Sequence, residues 1–356
     1  MLLGAVVRRG HGATLPAAAT RVRAASDRSA RTLAVVNAAI AVYAVGSVGL
    51  VLTHRVGLTA EHAILLVLLA AGFVPRLRGL SRAFVPFLFV AVMFEDLGSL
   101  QPLVAGAVHS AGPAVFERAL FGGVNAAVWL QQHLGGLHGA QWWQLPLVAE
   151  YLSHFVAPIL AGGYLYWRFR SRFGDYVAAY SLVMAAGFAV YLVYPEMPPW
   201  LAAQHGLLQP LNRLVVSTLS HLPGIGRLYA GADLFPDGAM PSLHVAVPMV
   251  IALSLIAARG TGRARWLWLL YPLTMAFAVI DLGEHYVADA VVGLAFGAGC
   301  FGVVAAVPAL GRAVHRATWQ HGYASTSARR KMAPEAMIAA PAKPAASRSA
   351  VDSVAP

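Results

Sequence analysis

Eight apolar stretches separated by short polar loops account for most of this chain. A helix that crosses a bilayer needs roughly 20 predominantly apolar residues, and each stretch meets or approaches that length. They cover residues 33–53, 60–75, 83–104, 145–167, 175–194, 242–258, 265–281 and 286–308. The second is short, and the third contains Glu95 and Asp96. The pattern predicts an all-α fold, a polytopic membrane helical bundle of about eight transmembrane helices.

A further apolar stretch, residues 112–130, behaves differently. Pro113, Glu117 and Arg118 interrupt it near its start. Such a segment is too broken to cross the bilayer as one helix, so we expect an interfacial or re-entrant helix there.

Composition supports a membrane protein. Of the 356 residues, 58% are hydrophobic and only 12% are charged, whereas about a quarter of residues are charged in soluble proteins. The formal net charge of +11 comes mostly from arginines in short loops. That distribution is typical of membrane orientation and does not indicate nucleic-acid binding. We expect an integral protein of a bacterial plasma membrane with no nucleic-acid partner.

The arginine clusters predict the orientation. They lie in every second loop, and cytoplasmic loops are the ones enriched in Lys and Arg. The clusters are Arg21, Arg23, Arg28 and Arg31; Arg76, Arg78 and Arg82; Arg168, Arg170 and Arg172; Arg259, Arg263 and Arg265; and Arg312 and Arg316. Both termini are therefore expected in the cytoplasm, and the long loop 195–241 is expected on the extracytoplasmic side.

Three regions follow from this pattern. Residues 1–30 are expected to form a mobile basic segment, residues 31–316 one transmembrane domain, and residues 317–356 a disordered cytoplasmic tail. The apolar start Met1–Val7 is shorter than a secretory signal. Cys300, the single cysteine, lies in an apolar stretch and is expected to be a buried structural thiol.

Two short motifs carry titratable groups at the starts of apolar stretches. The first ends in Ser242-Leu243-His244, and the second contains His285 and, four residues later, Asp289. Both histidines fall on the extracytoplasmic side in the predicted topology. Ionisable groups in membrane segments are costly and are therefore suspected of function.

The residue types suit phosphoryl transfer through a histidine. Residues four apart share one face of a helix, so Asp289 can fix the tautomer of His285 and leave its other nitrogen as a nucleophile. His244 can then act as the acid and base. Ser242 is a good N-cap, and a helix N-terminus binds anions. A metal site built from Asp281, Glu284, His285 and Asp289 is the alternative chemistry.

These motifs resemble a known family. Pro241-Ser242-Leu243-His244 and His285-Tyr286-Val287-Ala288-Asp289 resemble the second and third signature motifs of the type 2 phosphatidic acid phosphatase superfamily. The segment 194–200, Tyr-Pro-Glu-Met-Pro-Pro-Trp, resembles its inositol phosphorylceramide synthase-like (inositolphosphotransferase) branch. The resemblance implies a six-helix phosphatase-like core, His285 as nucleophile, Asp289 as its orienting group and His244 as acid/base. It also implies no metal and no cofactor.

The chain departs from the family pattern where cations are expected. The first motif, a Lys followed by Arg-Pro, is absent, and Trp200 stands where an Arg often follows Pro-Pro. Val279 occupies the place of the third motif's upstream Arg. A phosphoryl transition state needs positive charge, so we expect Arg213 and Arg227, in the outward loop, to bind substrate together with Ser242.

Two further polar residues lie near the outer end of the fourth stretch. Glu150 and His154 share a helix face. We interpret them as residues that pair across neighbouring helices, although contact with an acceptor is the alternative.

The sequence therefore predicts a membrane lipid phosphatase or phosphotransferase that acts on a lipid phosphate ester at the extracytoplasmic face. Water as acceptor would make it a phosphatase, and a sugar or inositol hydroxyl would make it a phosphotransferase. The alternative is a non-catalytic membrane transporter or lipid-binding scaffold, which the missing cationic motifs favour. The absence of an internal repeat argues against a transporter.

Overall fold

A computed structural model describes residues 60–104, 106–222 and 236–307, together with positions 43, 46, 47, 49 and 229. Most of the first predicted span, Arg227, and the predicted segments 1–30 and 317–356 lie outside these described residues. The all-α prediction is confirmed for the described part, which contains helices and isolated bridges but no strand.

Twelve α-helices are labelled here in chain order. They are α1 (Ala60–Ala71), α2 (Arg78–Val104), α3 (Ala111–Leu120), α4 (Ala126–Leu134), α5 (Leu145–Ser153), α6 (Ala157–Arg168), α7 (Arg170–Val193), α8 (Pro199–Gln204), α9 (Leu214–Leu219), α10 (Leu243–Arg259), α11 (Leu270–Asp281) and α12 (Val287–Ala306). Short 3-10 segments, Trp142–Gln144 and Arg263–Leu269, precede α5 and α11.

Two of these helices are long and apolar enough to cross a membrane, namely α7 and α12. The pair formed by 142–153 and α6 makes a third candidate if it is one bent span. Among the other predicted spans, α10 has 17 residues and α11 has 12. Within the described residues the structure thus supports two or three spans, and the number eight and the six-helix core stay predictions.

The predicted span 145–167 is not one straight helix. Helix α5 ends at Ser153, α6 begins at Ala157, and the two are bent by 60°. Pro158 lies in the first turn of α6, where its missing N–H and its steric effect on the preceding residue interrupt a continuous helix. The bend places the end of α5 beside the start of α10, which matters for the site.

The apolar stretch 112–130 also divides, into α3 and α4. Gly122 and Gly123, both with positive φ (65° and 99°), form the turn between them. Two short helices agree with the expectation that this stretch does not form a span of its own.

Helix α10 lies at the centre of the bundle and packs on α6, α7, α11 and α12. Its closest approach is to α12, where Gly293 and Gly297 face it. A β-carbon on Gly293 would lie 2.5 Å from the Ser242 carbonyl oxygen, and one on Gly297 would lie 2.3 Å from that of Ala246. Glycines four residues apart allow membrane helices to pack with their backbones nearly in contact. This packing brings the N-terminal ends of α10 and α12, and hence both histidine motifs, together.

Two buried clusters hold the bundle. The larger joins α2, α6, α7, α10 and α12 through aromatic and aliphatic side chains such as Phe87, Leu165 and Tyr176. The second joins α5, α9, α10, α11 and α12 around Met275 and Leu282. Large apolar side chains such as Leu160 are two-thirds exposed. Exposing such an apolar surface to water is unfavourable, and a lipid bilayer would cover it.

Asp96 lies buried within α2, in the predicted third span. Its carboxylate accepts hydrogen bonds from the hydroxyls of Tyr43 and Ser47, and Oδ1 lies 3.1 Å from His62 Nε2 on α1. An acidic group inside a membrane helix is tolerated when it is paired in this way.

Candidate active site

The two predicted catalytic histidines meet at the N-terminal ends of α10 and α12. The ring centroids of His244 and His285 lie 5.8 Å apart. The Ser242 N–H donates to the Asp289 carbonyl oxygen at 3.2 Å, which ties the two motifs together through the backbone. Residues separated by about forty positions in the chain thus form one cluster.

The expected arrangement of His285 and Asp289 on one helix face is wrong. Helix α12 begins at Val287, Tyr286 is its extended N-cap residue, and His285 lies before the helix. Gly283, with φ of 80°, turns the chain after α11 and positions this short connection. The four-residue spacing therefore brings the two side chains together across the start of α12 and not along one face of a helix.

Asp289 still faces His285. Its Oδ2 lies 3.5 Å from His285 Nδ1 and accepts a hydrogen bond from the Tyr286 N–H at 2.8 Å. Both side chains are buried, and Asp289 has no exposed surface. The 3.5 Å separation is longer than a normal hydrogen bond, and catalytic hydrogen bonds often tighten only with substrate in place.

His244 lies in an aromatic and imidazole pocket. Its ring stacks on Tyr151 with centroids 4.2 Å apart, and the ring of His154 lies 4.4 Å away. His244 Nε2 is buried and has no hydrogen-bond partner among the described residues. The pocket therefore fixes the ring while one nitrogen stays unpaired, as a group that transfers protons requires.

Glu150 and His154 both make contacts with neighbouring helices, as the sequence predicts. The Thr274 hydroxyl of α11 donates to Glu150 Oε1, so Glu150 does pair across helices. The ring of His154, at the end of α5, lies beside that of His244 on α10. His154 is a site residue whose place the sequence pattern did not reveal.

Ser242 occupies the predicted N-cap position of α10, but its side chain makes no capping hydrogen bond. Its Oγ is fully buried and has no partner among the described residues. Its backbone N–H donates to the Asp289 carbonyl of the second motif, so Ser242 stays a candidate for substrate contact.

The Arg213 side chain is largely buried and paired, although the residue lies in the long loop 195–241. Its side chain is 13% exposed and forms a bidentate ion pair with Glu284, with Nε–Oε1 at 2.9 Å and Nη2–Oε2 at 3.0 Å. The guanidinium carbon lies 4.1 Å from the centre of the Trp200 ring. The Arg213 guanidinium therefore packs on Trp200, the residue that stands where an Arg often follows Pro-Pro. Arg227 lies outside the described residues.

Arg213 reaches the histidine pocket through aromatic neighbours. It lies 5.8 Å from the ring of Tyr229, whose hydroxyl donates to the Tyr151 hydroxyl at 3.0 Å. Tyr151 in turn stacks on His244. Glu284, the ion-pair partner, directly precedes His285 in the chain. The Arg213–Glu284 ion pair therefore lies at the edge of the cluster.

Glu196 is a site residue that the sequence did not single out beyond its place in the Pro-Pro segment. It is 1% exposed. Burial and the nearby Asp289 carboxylate raise the pKa of Glu196 well above its usual range. A glutamate in a loop carries no pattern that signals such a contact, since only the folded chain brings residues 196 and 289 together.

The alternative metal site does not assemble in the structure. Asp281 Oδ2 accepts a hydrogen bond from Gln144 Nε2 at 2.7 Å, and Glu284 binds Arg213. In the parts of the chain that the structure describes, no three His, Cys, Asp or Glu side chains converge as metal ligands.

Comparison with known proteins places this geometry in a family. A family model described as the PAP2 superfamily matches residues 114–303, just over half of the chain. A phosphoinositol dihydroceramide synthase of Bacteroides thetaiotaomicron is 28% identical over 268 residues, which cover 67% of this chain and 82% of that protein. No solved structure matches significantly. The chain therefore belongs to the PAP2 superfamily, and its similarity to the Bacteroides protein agrees with the inositol phosphorylceramide synthase-like branch that the motifs indicate.

Proposed function

We propose that this protein is an integral-membrane enzyme that transfers a phosphoryl or phosphodiester group from a lipid phosphate ester through a covalent intermediate on His285. The observation that carries the proposal is the position of His285 between Asp289 and His244. Its Nδ1 lies 3.5 Å from Asp289 Oδ2, and its ring centroid lies 5.8 Å from that of His244. Membership of the PAP2 superfamily and the name of the Bacteroides relative support phosphoryl-transfer chemistry on lipids.

In the first step, His285 attacks phosphorus. Because Nδ1 faces Asp289, Nε2 is the nitrogen left to form the P–N bond, and Asp289 stabilises the positive charge that develops on the ring. The P–O bond to the leaving group breaks. Protonated His244 gives its proton to the departing alkoxide and becomes neutral.

In the second step, neutral His244 takes the proton of the acceptor hydroxyl. The acceptor oxygen attacks phosphorus, the P–N bond breaks, and His285 is released. Water as acceptor completes hydrolysis, whereas a sugar, inositol or lipid hydroxyl completes transfer. The name of the Bacteroides relative favours transfer. Arg213 and Ser242 are proposed to bind the phosphate oxygens, and the reaction is proposed to need no metal.

The experiment that tests this function uses the purified, detergent-solubilised protein. It is incubated with a panel of phosphomonoester and phosphodiester lipids, with and without inositol, sugar and ceramide-type acceptors. We expect a new phosphorus-containing lipid or free phosphate, unaffected by EDTA. If no lipid turns over while a lipid or solute is bound or transported, the non-catalytic alternative holds. Complete loss in EDTA that zinc or magnesium reverses would instead support a metal-dependent reaction.

We also propose that the site faces the extracytoplasmic side, with both termini in the cytoplasm. The alternation of arginine clusters supports this orientation. Gln204, the last residue of α8, and Thr261, between α10 and the following 3-10 segment, are both exposed. In a Cys300→Ala background, Gln204→Cys is expected to react with a membrane-impermeant thiol reagent on intact cells and Thr261→Cys is not. The reverse pattern would invert the topology.

A further inference from the structure

Glu196 lies on a segment whose backbone is held from both sides. Its N–H donates to the Asp237 carbonyl at 2.7 Å, and its own carbonyl accepts from the Ala239 N–H at 3.2 Å. On the other side, the N–H of Met197 donates to the His109 carbonyl at 3.1 Å. Three chain segments thus run side by side, and the direction of the Glu196 side chain is set by backbone hydrogen bonds and not by a flexible loop.

The same segment is attached to the catalytic connection. The N–H of Trp200 donates to the Gly283 carbonyl at 3.1 Å, two residues before His285. The segment therefore keeps its position relative to the start of α12. Glu196 and Asp289 are held on two rigid elements that meet, so the contact between their carboxyl groups does not depend on side-chain flexibility alone.

Each of these two carboxyl groups has one buried oxygen that receives no hydrogen bond from the described residues. Glu196 Oε2 and Asp289 Oδ1 have no hydrogen bond of ordinary geometry to any described residue. The other oxygen of Asp289, Oδ2, already accepts from the Tyr286 N–H and faces His285. Oδ1 is thus the oxygen that lacks a donor.

Two adjacent buried carboxyl groups cannot both be ionised without a large cost, so one of them keeps a proton. Asp289 Oδ2 accepts from the Tyr286 N–H and faces His285 Nδ1, whereas burial and the Asp289 carboxylate raise the pKa of Glu196. The other titratable groups on the elements around Glu196 are Tyr194 on its own segment, His109 and Asp237 on the flanking segments, and His285 and Tyr286 before α12. The proton therefore resides on Glu196.

We propose that Glu196 is a positioning residue, which as a neutral carboxylic acid donates its proton toward Asp289 Oδ1 and thereby keeps Oδ2 directed at His285. This inference rests on the proposed function, because it assigns Glu196 to the nucleophile's aspartate. It extends the His285–Asp289 pair to three residues, because Glu196 comes from a segment about ninety residues earlier in the chain. Burial and the Asp289 carboxylate, which raise the pKa of Glu196, keep the proton in place at neutral pH.

The test compares Glu196→Gln with Glu196→Ala. Glutamine keeps an N–H donor for Oδ1, so kcat should stay within a few-fold of the wild type. Alanine leaves Oδ1 without a donor, so kcat should fall roughly ten- to a hundredfold with little change in KM. The matched control is Glu150→Gln, which changes a glutamate that accepts a hydrogen bond from Thr274. This variant should leave kcat unchanged. An alanine variant with normal kcat, or a glutamine variant as slow as alanine, would refute the positioning role.

Thermal stability provides a readout that does not depend on activity. A carboxyl group with a raised folded-state pKa takes up a proton on folding, which costs stability increasingly as the pH rises above its unfolded pKa. Glutamine has no such uptake. The Tm of Glu196→Gln minus that of the wild type should therefore increase from about pH 5 to about pH 8. A difference that does not change with pH would contradict the neutral carboxyl.

The two proposals can fail separately. If the wild type turns over no lipid phosphate, the proposed function fails, although the pH-dependent Tm difference still reports the proton on Glu196. If His285→Ala is inactive while Glu196→Ala is fully active, the function stands and only the role of Glu196 is refuted.

Discussion

Replacing His285 by alanine is expected to abolish turnover, because it removes the imidazole that faces Asp289, lies 5.8 Å from the His244 ring and is proposed to form the covalent intermediate. Asp289→Asn should reduce kcat by about a thousand- to ten-thousandfold, since an amide no longer fixes the His285 tautomer or stabilises the charged ring. Steady-state turnover of the lipid identified in the panel measures both variants. His133→Ala, which removes an exposed histidine, is the control and should be normal.

His244→Ala separates proton transfer from nucleophilic attack. A lipid ester with a poor alkoxide leaving group needs protonation, so its transfer should slow strongly. An aryl phosphate with an activated leaving group needs little protonation, and its first step should be partly spared. Full activity of His285→Ala would refute the covalent mechanism, and an equal loss for both substrates in His244→Ala would refute the role of His244 as acid.

The second large effect concerns the cation. Arg213→Gln is expected to lower kcat about thirty- to a thousandfold, because one charge-assisted contact that strengthens in the transition state is worth ~2–4 kcal/mol. The buried ion pair adds a complication that the sequence did not suggest. Removing Arg213 leaves the Glu284 carboxylate, which is 5% exposed, without its partner. Breaking a buried pair in this way costs about 3–5 kcal/mol of stability.

The double variant Arg213→Gln/Glu284→Gln resolves the two effects. It removes both charges, so most of the stability lost in Arg213→Gln should return. Turnover should stay low. Thermal denaturation and steady-state kinetics on the same preparations measure both quantities. Arg213→Lys should rescue turnover only in part, because lysine keeps the charge but not the bidentate geometry. Recovery of turnover along with stability in the double variant would show that Arg213 only supports the fold.

The sequence was sufficient to predict the all-α class, the family and the motifs. Each motif lies where an apolar stretch begins, and its meaning depends on residue identity and local spacing. The PAP2 family and the helical architecture are confirmed. The roles of His244, His285 and Asp289 stay predictions, but the structure does bring these three residues together.

The charges were harder to predict from local patterns. Arg213 lies in the long loop 195–241 and is predicted to bind substrate, yet it pairs with Glu284, which is 71 positions away in the chain. Long-range pairing of this kind has no periodic signal, and loop composition says nothing about which acid will be near. The same holds for His154, whose ring lies beside that of His244 on a helix distant in the chain.

Local sequence therefore accounts for the apolar stretches that favour helices in a bilayer and for the histidines at helix starts. Tertiary structure decided which of these groups meet. Gly293 and Gly297 let α12 approach α10 closely enough to join the two motifs, and backbone hydrogen bonds between distant segments direct Glu196 to Asp289. The physical reason is that helix formation depends on neighbours within a few residues, whereas burial, ion pairing and carboxyl–carboxyl contact depend on which surfaces pack together.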